Sequence, residues 1–234
     1  MSNPLSVVII TKNEQQVIAD AVKSALFADE VLVLDNGSTD STCEIAKDLG
    51  ANVLHQDWLG FGAQKNKAVA LAKNNWIFVL DADERITQDL QAELLKTLKV
   101  PKMKAYKTAR LNNFFGKNIK RCGLYPDYSI RLFDRRFGKF SDVSVHESVQ
   151  TSEVVGVLTR PMIHLAFNSL SEFRTKQKHY AELSIKKRNL IKAFVSPIWT
   201  FVRIYFLRLG FLEGWRGLVI ALVYAEYTFW KYYR

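Results

Sequence analysis

Three carboxylates stand together at Asp81-Ala82-Asp83-Glu84, directly behind the apolar run Trp76-Ile77-Phe78-Val79-Leu80. Like charges this close repel unless a cation, a proton or water offsets them. Hard oxygen ligands suit Mg or Mn, with the remaining coordination positions left to water and phosphate. The ordinary alternative is a solvated acidic loop. Two further candidates are Asp35, which closes another apolar run, and His146-Glu147, the only adjacent His-Glu pair in the chain. Such a pair is more often structural than catalytic, so its role depends on its neighbours.

These groups need elements to aim them. Residues 76–80 are uninterruptedly apolar, with β-branched and aromatic side chains, as in a strand buried on both faces. Leu5-Ser6-Val7-Val8-Ile9-Ile10-Thr11 and Glu30-Val31-Leu32-Val33-Leu34-Asp35 read the same way, and residues 51–55 give a shorter strand. Val17, Ile18, Ala21, Val22, Ala25 and Leu26 form a helical stripe. A second helix, capped by Ser38 or Asp40, stops at Gly50. A third is expected around 63–73, and Leu90, Leu94, Leu95 and Leu98 mark a fourth starting near Thr87. This alternation predicts right-handed crossovers and a mostly parallel sheet. Polar residues gather where the strands end, at 11–14, 35–38 and 81–84, and a parallel sheet points those ends at one crevice.

The contents of that crevice are narrowed by missing motifs. The first turn reads Thr11-Lys12-Asn13-Glu14, with no Gly-x-Gly-x-x-Gly, and no Walker loop occurs. Metal would have to neutralise a bound phosphate. Asp35 suits a sugar hydroxyl or a base N–H, and equally suits a cap on the next helix.

The chain of 234 residues, 48% hydrophobic, is long enough for a full core with an appendage. Its net charge of +10 is unevenly spread: residues 1–100 carry −5, residues 101–170 carry +7 and residues 171–234 carry +8. A basic rear half suits nucleic acid, an anionic membrane surface or an acidic substrate. Cys43 and Cys122 offer no disulfide framework or metal spacing and read as reduced thiols. The apolar run at 5–10 is too short for a leader, which places the protein in the cytoplasm.

In residues 101–170 aromatics mix with Arg121, Arg131, Arg135 and Arg136, and Tyr128-Ser129-Ile130-Arg131-Leu132-Phe133 alternates like a strand. Residues 171–192 read as a polar helix. Beyond Phe194, rings crowd the chain, but the uncharged runs 193–202 and 217–225 are too short for a span of roughly 20 residues. An aromatic, basic tail suits a membrane interface. The alternative is a pair of helices packed on the core or on another subunit, hence a homo-oligomer.

Four motifs in this order and spacing resemble the family-2 glycosyltransferases, inverting enzymes of the GT-A fold. They are Ser6-Val7-Val8-Ile9-Ile10-Thr11-Lys12-Asn13-Glu14, Val33-Leu34-Asp35-Asn36-Gly37-Ser38-Thr39-Asp40, Gln64-Lys65-Asn66 and Leu80-Asp81-Ala82-Asp83-Glu84. Trp58-Leu59-Gly60-Phe61-Gly62, Arg131-Leu132-Phe133 and Val145-His146-Glu147 extend the resemblance to lipopolysaccharide inner-core β-1,4-glucosyltransferases. The resemblance implies a GT-A domain with a nucleotide-sugar part at 1–100 and an acceptor part at 101–170, followed by a helical extension at 171–234. It implies a UDP-glucose donor, with Thr11, Asn13 and Glu14 lining the nucleotide pocket, Asp35 at the uracil and Lys65 near base or phosphate. Asp81 and Asp83 would be the DxD pair holding ribose and a divalent ion, Mg or Mn.

The processive members' Gln-x-x-Arg-Trp motif is absent, which implies transfer of a single sugar. His146-Glu147 stands where the family often has a Glu-Asp motif. Glu147 is then the expected base, with Asp142 in reserve, and His146 would complete the metal shell. Arg121, Arg131 and Arg136 would dock the anionic groups of a lipid-linked saccharide acceptor in the heptose region of the inner core. The enzyme would act peripherally on the inner face of the cell membrane, with no nucleic acid partner. A non-catalytic sugar-nucleotide sensor is the rival from another class.

Overall fold

The computed structural model describes residues 3–141, 147–167, 169–184 and 188–233. Four βα repeats open the chain: β1 (Leu5–Thr11), α1 (Ile18–Ala25), β2 (Glu30–Asp35), α2 (Thr42–Asp48), β3 (Asn52–His55), α3 (Phe61–Leu71) and β4 (Trp76–Asp81) lead through β5 (Glu84–Arg85) to α4 (Gln88–Lys99). There follow β6 (Ala105–Phe114), β7 (Lys117–Asn118), β8 (Asp127–Asp134), β9 (Lys139–Phe140), β10 (Val149–Gln150), β11 (Val155–Val157) and β12 (Met162–Phe167). The chain ends in α5 (Leu170–Leu183), α6 (Leu190–Val202), a π turn over Arg203–Leu207, a 3-10 turn over Gly210–Glu213 and α7 (Trp215–Tyr233).

Among the described residues, ten strands form one sheet along the order β3-β2-β1-β4-β8-β6-β12-β5, with β7 and β11 also on β6. The first four run parallel and β8 joins β4 antiparallel. The expected mixed α/β sheet is thus present, and the sequence pattern explains why. Alternate residues of β1 go to opposite faces: Leu5, Val7 and Ile9 pack with α1 and α4, while Val8 packs with α3. Helices on both faces leave no solvated side, so these strands are apolar throughout. Thr87 caps α4 by accepting from the Leu90 N–H at 3.2 Å, as the pattern predicted. The helix after β2 begins at Thr42, and of its two candidate caps Asp40 accepts the Thr42 N–H at 3.1 Å while Ser38 is engaged by Asn13.

Two units emerge, one of residues 1–110 with 128–164 and one of 111–127 with 165–234. Residues 111–127, expected with the acceptor part, therefore belong with the tail. The second unit has its own core of Phe114, Ile119, Cys122, Phe167, Phe173, Ile204, Ile220 and Val223. Within it α6 and α7 run antiparallel, with Thr200 against Thr228 at 3.2 Å and the Asn189 N–H donating to the Tyr232 carbonyl at 3.1 Å. The sequence reading stopped the apolar run at Arg203. The helix instead continues through the π turn, giving an 18-residue stretch, Leu190–Leu207, with mean hydropathy 1.4. Both cysteines are free thiols.

Candidate active site

Strand register places the site. Thr11 pairs with Asp35 and Ile10 with Asp81, so the tips of β1, β2 and β4 lie level. The first two loops then lace together. Asn13, held at φ +55°, donates its N–H to Ser38 Oγ at 2.8 Å and accepts from the Thr39 N–H at 2.8 Å. Glu14 N–H donates to Thr42 Oγ1 at 2.8 Å. Asp35 accepts from the Gly37 and Ser38 N–H groups at 2.8 and 3.0 Å, which ties it into the turn after β2 and not to the start of α2 at Thr42. Burial would raise its carboxyl, but the Ser38 and Gly37 hydrogen bonds prevail and hold it below the usual range. Beside this lacing, Thr11 Oγ1 and Asn36 Oδ1 are buried without a hydrogen-bond partner. Native interiors rarely leave such atoms unpaired, which makes the β1 and β2 tips a candidate place for a ligand's polar groups.

The acidic run is organised by cations. Asp81 Oδ1 lies 3.0 Å from Lys65 Nζ and Asp81 Oδ2 lies 3.1 Å from the Arg131 guanidinium. Arg131 reaches on to Glu84 Oε1 at 2.6 Å, and Glu84 Oε2 accepts the Asp81 N–H at 3.0 Å. Lys65 also meets Glu147 Oε1 at 2.9 Å. The result is an alternating string of Glu147, Lys65, Asp81, Arg131 and Glu84, with Lys65 and Arg131 each only 6% exposed. Burial would raise the Asp81 carboxyl, yet Arg131 and then Lys65 hold it well below the usual range. Fully buried Glu84 goes the other way: burial pushes it up to about 7, with the Asp81 charge adding to the rise and Arg131 opposing it. Arg85 braces the turn, donating to the carbonyls of Ala82, Glu84 and Val17 at 2.7–2.8 Å.

Helix α3 explains why Gln64, Lys65 and Asn66 occur in a row. Successive helical side chains point about 100° apart, so three neighbours serve three directions. Gln64 donates to the Gln56 carbonyl at 3.2 Å and accepts the Leu59 N–H at 3.3 Å, closing the loop before the helix. Lys65 joins Asp81 to Glu147. Asn66 holds the Phe140 backbone through both its amide atoms, at 2.8 and 2.9 Å, which fixes the β9 edge leading toward Glu147.

Several expected roles change. Arg131, expected to dock the acceptor, is consumed inside by Asp81 and Glu84. Arg136 pairs with Asp134, which registers with Trp76 at the start of β4, the end opposite Asp81. Arg121 belongs to the second unit, where its N–H donates to Glu213 at 3.1 Å. Asp81, expected to ligate metal, has both oxygens on cations, which repel a dication. His146 and the reserve base Asp142 lie outside the described residues.

Three residues to which the sequence reading gave no role of their own enter the site. Glu84 stood within the acidic run. His164 lies in an apolar strand with no local signal, yet its Nε2 is 3.2 Å from Asp83 Oδ2 because β12 pairs with β5. Arg110, on β6, reaches within 3.8 Å of Glu84 Oε1 and is 30% exposed. Among the described residues no three His, Cys, Asp or Glu side chains gather as a metal cage. Asp83 and His164 nonetheless fit a divalent ion that keeps open positions, one hard oxygen and one imidazole being a donor set that Mn accepts.

The family model for Glycosyl transferase family 2 matches residues 6–155. A glycosyltransferase of Rickettsia typhi, itself uncharacterized, is 31% identical over 241 residues, spanning 94% of this chain and 82% of that protein. The lipopolysaccharide core biosynthesis glycosyltransferase LpsC of Rhizobium meliloti is 29% identical over 247 residues, spanning 97% and 89%. Among solved structures, residues 1–349 of S. aureus TarS in complex with UDP-GlcNAc give a TM-score of 0.52 at 15% identity, covering 98% of this chain and 89% of that one. That last likeness is one of fold.

Proposed function

The chain belongs to glycosyl transferase family 2, and from that premise we propose that it moves one glucose from UDP-glucose to a lipid-linked saccharide, in the heptose region of the lipopolysaccharide inner core. It does so at the inner face of the cell membrane. The observation that carries this reading is the Lys65 bridge, which sets Glu147 one ammonium away from Asp81. A carboxylate able to take a proton is thereby fixed beside the acid that ends β4, the strand whose tip faces the donor.

The chemistry is a single displacement at the anomeric carbon. The acceptor hydroxyl attacks while Glu147 takes its proton, and the bond to the diphosphate breaks with inversion. Thr11 and Asn36 offer their unpartnered oxygens to the nucleoside, and the laced loops of Asn13, Glu14 and Asp35 keep those tips rigid. Lys65, between two carboxylates, also offers positive charge to the diphosphate. Asp83 and His164 would hold a Mg or Mn ion, which would offset further charge on the leaving group. Arg110, at the exposed edge of the acidic string, replaces Arg131 as the guanidinium for an anionic group on the acceptor.

A thermal-shift panel of nucleotide sugars with and without Mn tests the reading, since a ligand that binds the native state raises its Tm. UDP-glucose with Mn gives the largest rise if the proposal holds. UDP-GlcNAc belongs in the panel because the TarS structure contains it. A larger rise with another sugar reassigns the donor, and no rise with any nucleotide overturns the transferase reading. Release of UDP only in the presence of acceptor separates an enzyme from a sensor.

A further inference from the structure

The α6–α7 hairpin leaves a long apolar face uncovered. Ile191, Phe194, Ile198 and Trp199 are 78%, 60%, 66% and 57% exposed, and with Val195 they follow the spacing of one helical face. The stripe continues within the π turn at Phe206 and Leu207, and Phe211, Leu212 and Trp215 stand exposed at the corner. The opposite side of α6, at Ala193 and Thr200, is buried. Only 17% of the residues in Leu190–Leu207 are buried. A bare apolar surface of this extent marks a docking surface.

The charges around it select the occupant. From residue 183 to residue 212 the chain contains Lys186, Lys187, Arg188, Lys192, Arg203 and Arg208 and no Asp or Glu. Arg188, Lys192, Arg203 and Arg208 are exposed. Two copies joined through such a face would set like charges rim to rim, whereas an anionic bilayer neutralises the rim and accepts the rings together.

Length alone would let this helix span: 18 residues at about 1.5 Å each reach about 27 Å, close to a hydrocarbon core of about 30 Å. The rest of the second unit forbids it. Helix α7 carries α5 through the Phe173–Tyr224 ring contact at 5.7 Å and the Arg174–Glu226 ion pair at 2.9–3.0 Å. A spanning hairpin would drag the exposed charges of α5, Lys176 and Lys178 among them, into hydrocarbon.

We propose that the face formed by Ile191, Phe194, Val195, Ile198, Trp199 and Phe206 lies flat in the interface of an anionic bilayer, with α5 on the water side. This extends the membrane part of the proposed function and does not depend on which sugar is transferred.

The test uses the full chain with sucrose-loaded vesicles of phosphatidylcholine alone or with added phosphatidylglycerol. The protein should sediment with the anionic vesicles and be released by salt. The variant Phe194→Ser/Ile198→Ser/Trp199→Ser should bind at least about tenfold more weakly, since it removes inserted apolar area. The fluorescence of Trp199, isolated by comparison with Trp199→Phe, should be quenched by bromines near the headgroup more than by bromines at the bilayer centre. Equal binding to neutral vesicles, unchanged binding by the variant, or strongest quenching at the centre overturns the proposal. So does a stable dimer that ignores vesicles. The UDP thermal shift of the variant should match that of the parent, which keeps failure of this inference distinct from failure of the transferase reading.

Discussion

The two units depart from the usual placement of residues in opposite directions. The first hides charge: Lys65, Arg131 and Glu84 are buried in a string of alternating sign running from Glu147 inward. The second shows apolar surface, with Phe194, Ile198, Trp199 and Trp215 facing outward beside basic residues. Buried charge is tolerated only when each member is paired, so the first arrangement is rigid and intolerant of deletion. Bare rings are tolerated when another phase covers them, so the second is adaptable and sensitive to its surroundings. The contrast separates a unit that pairs charge in its interior from one that leaves apolar surface bare.

Four tests would break or sharpen that contrast. The largest effect belongs to Glu147→Gln, which should cut transfer by about 10²–10⁴-fold, the usual worth of a general base, and leave UDP binding within a factor of about two. Steady-state rates alongside calorimetric titration with UDP check it, and an active variant ends the assignment. Next is Arg131→Met, which strands Asp81 and Glu84 and should cost about 3–5 kcal/mol in denaturant unfolding. The double variant Arg131→Met/Glu84→Met should recover part of that loss. If the double variant is no better, the string is not a coupled unit.

In the second unit, Gly217→Ala drives a Cβ into the Gly210 carbonyl oxygen at the hairpin corner. Because that neighbour is backbone, relief requires the corner to move, at a cost of about 1–3 kcal/mol. Near-UV dichroism would follow the loss of aromatic packing, and a variant with unchanged Tm would show the corner to be loose.

The smallest effect is a pH dependence. Burial pushes the Tyr224 hydroxyl up to about 12 and the Cys122 thiol up to about 11. The folded state therefore keeps protons that the unfolded state has already released. Stability from these groups is complete below their ordinary values near 9 and 10 and is lost as pH rises toward 11 and 12. Tyr224→Phe should flatten the decline between pH 10 and 12. A parallel decline in parent and variant would exclude Tyr224 as its source.

Much of this was legible in the residues. The apolar runs at 5–11, 30–35 and 76–81 gave strands because their composition demands burial on both faces, and the stops at Asp35 and Asp81 gave level tips because parallel register follows from the crossover. Gln64-Lys65-Asn66 was visible as a motif, but its division of labour was not, since it depends on what lies around α3. Arg131 was misread for a like reason: alternation placed it in a strand without telling which side chain faces the acids. Arg203 seemed to end an apolar run, but a charge does not end a helix, and the backbone continued through a π turn.

The sequence by itself determined the alternating βα front, the acids at its strand ends, and the shift to basic and aromatic composition behind them. Those features are local, since periodicity and composition act over a few residues. Only the tertiary structure decided that Lys65 would lie between Asp81 and Glu147, that Asp83 would find His164, and that one face of α6 would remain bare. Each of those joins residues far apart in the chain or depends on what fails to cover a surface, and neither is written in the spacing of neighbours.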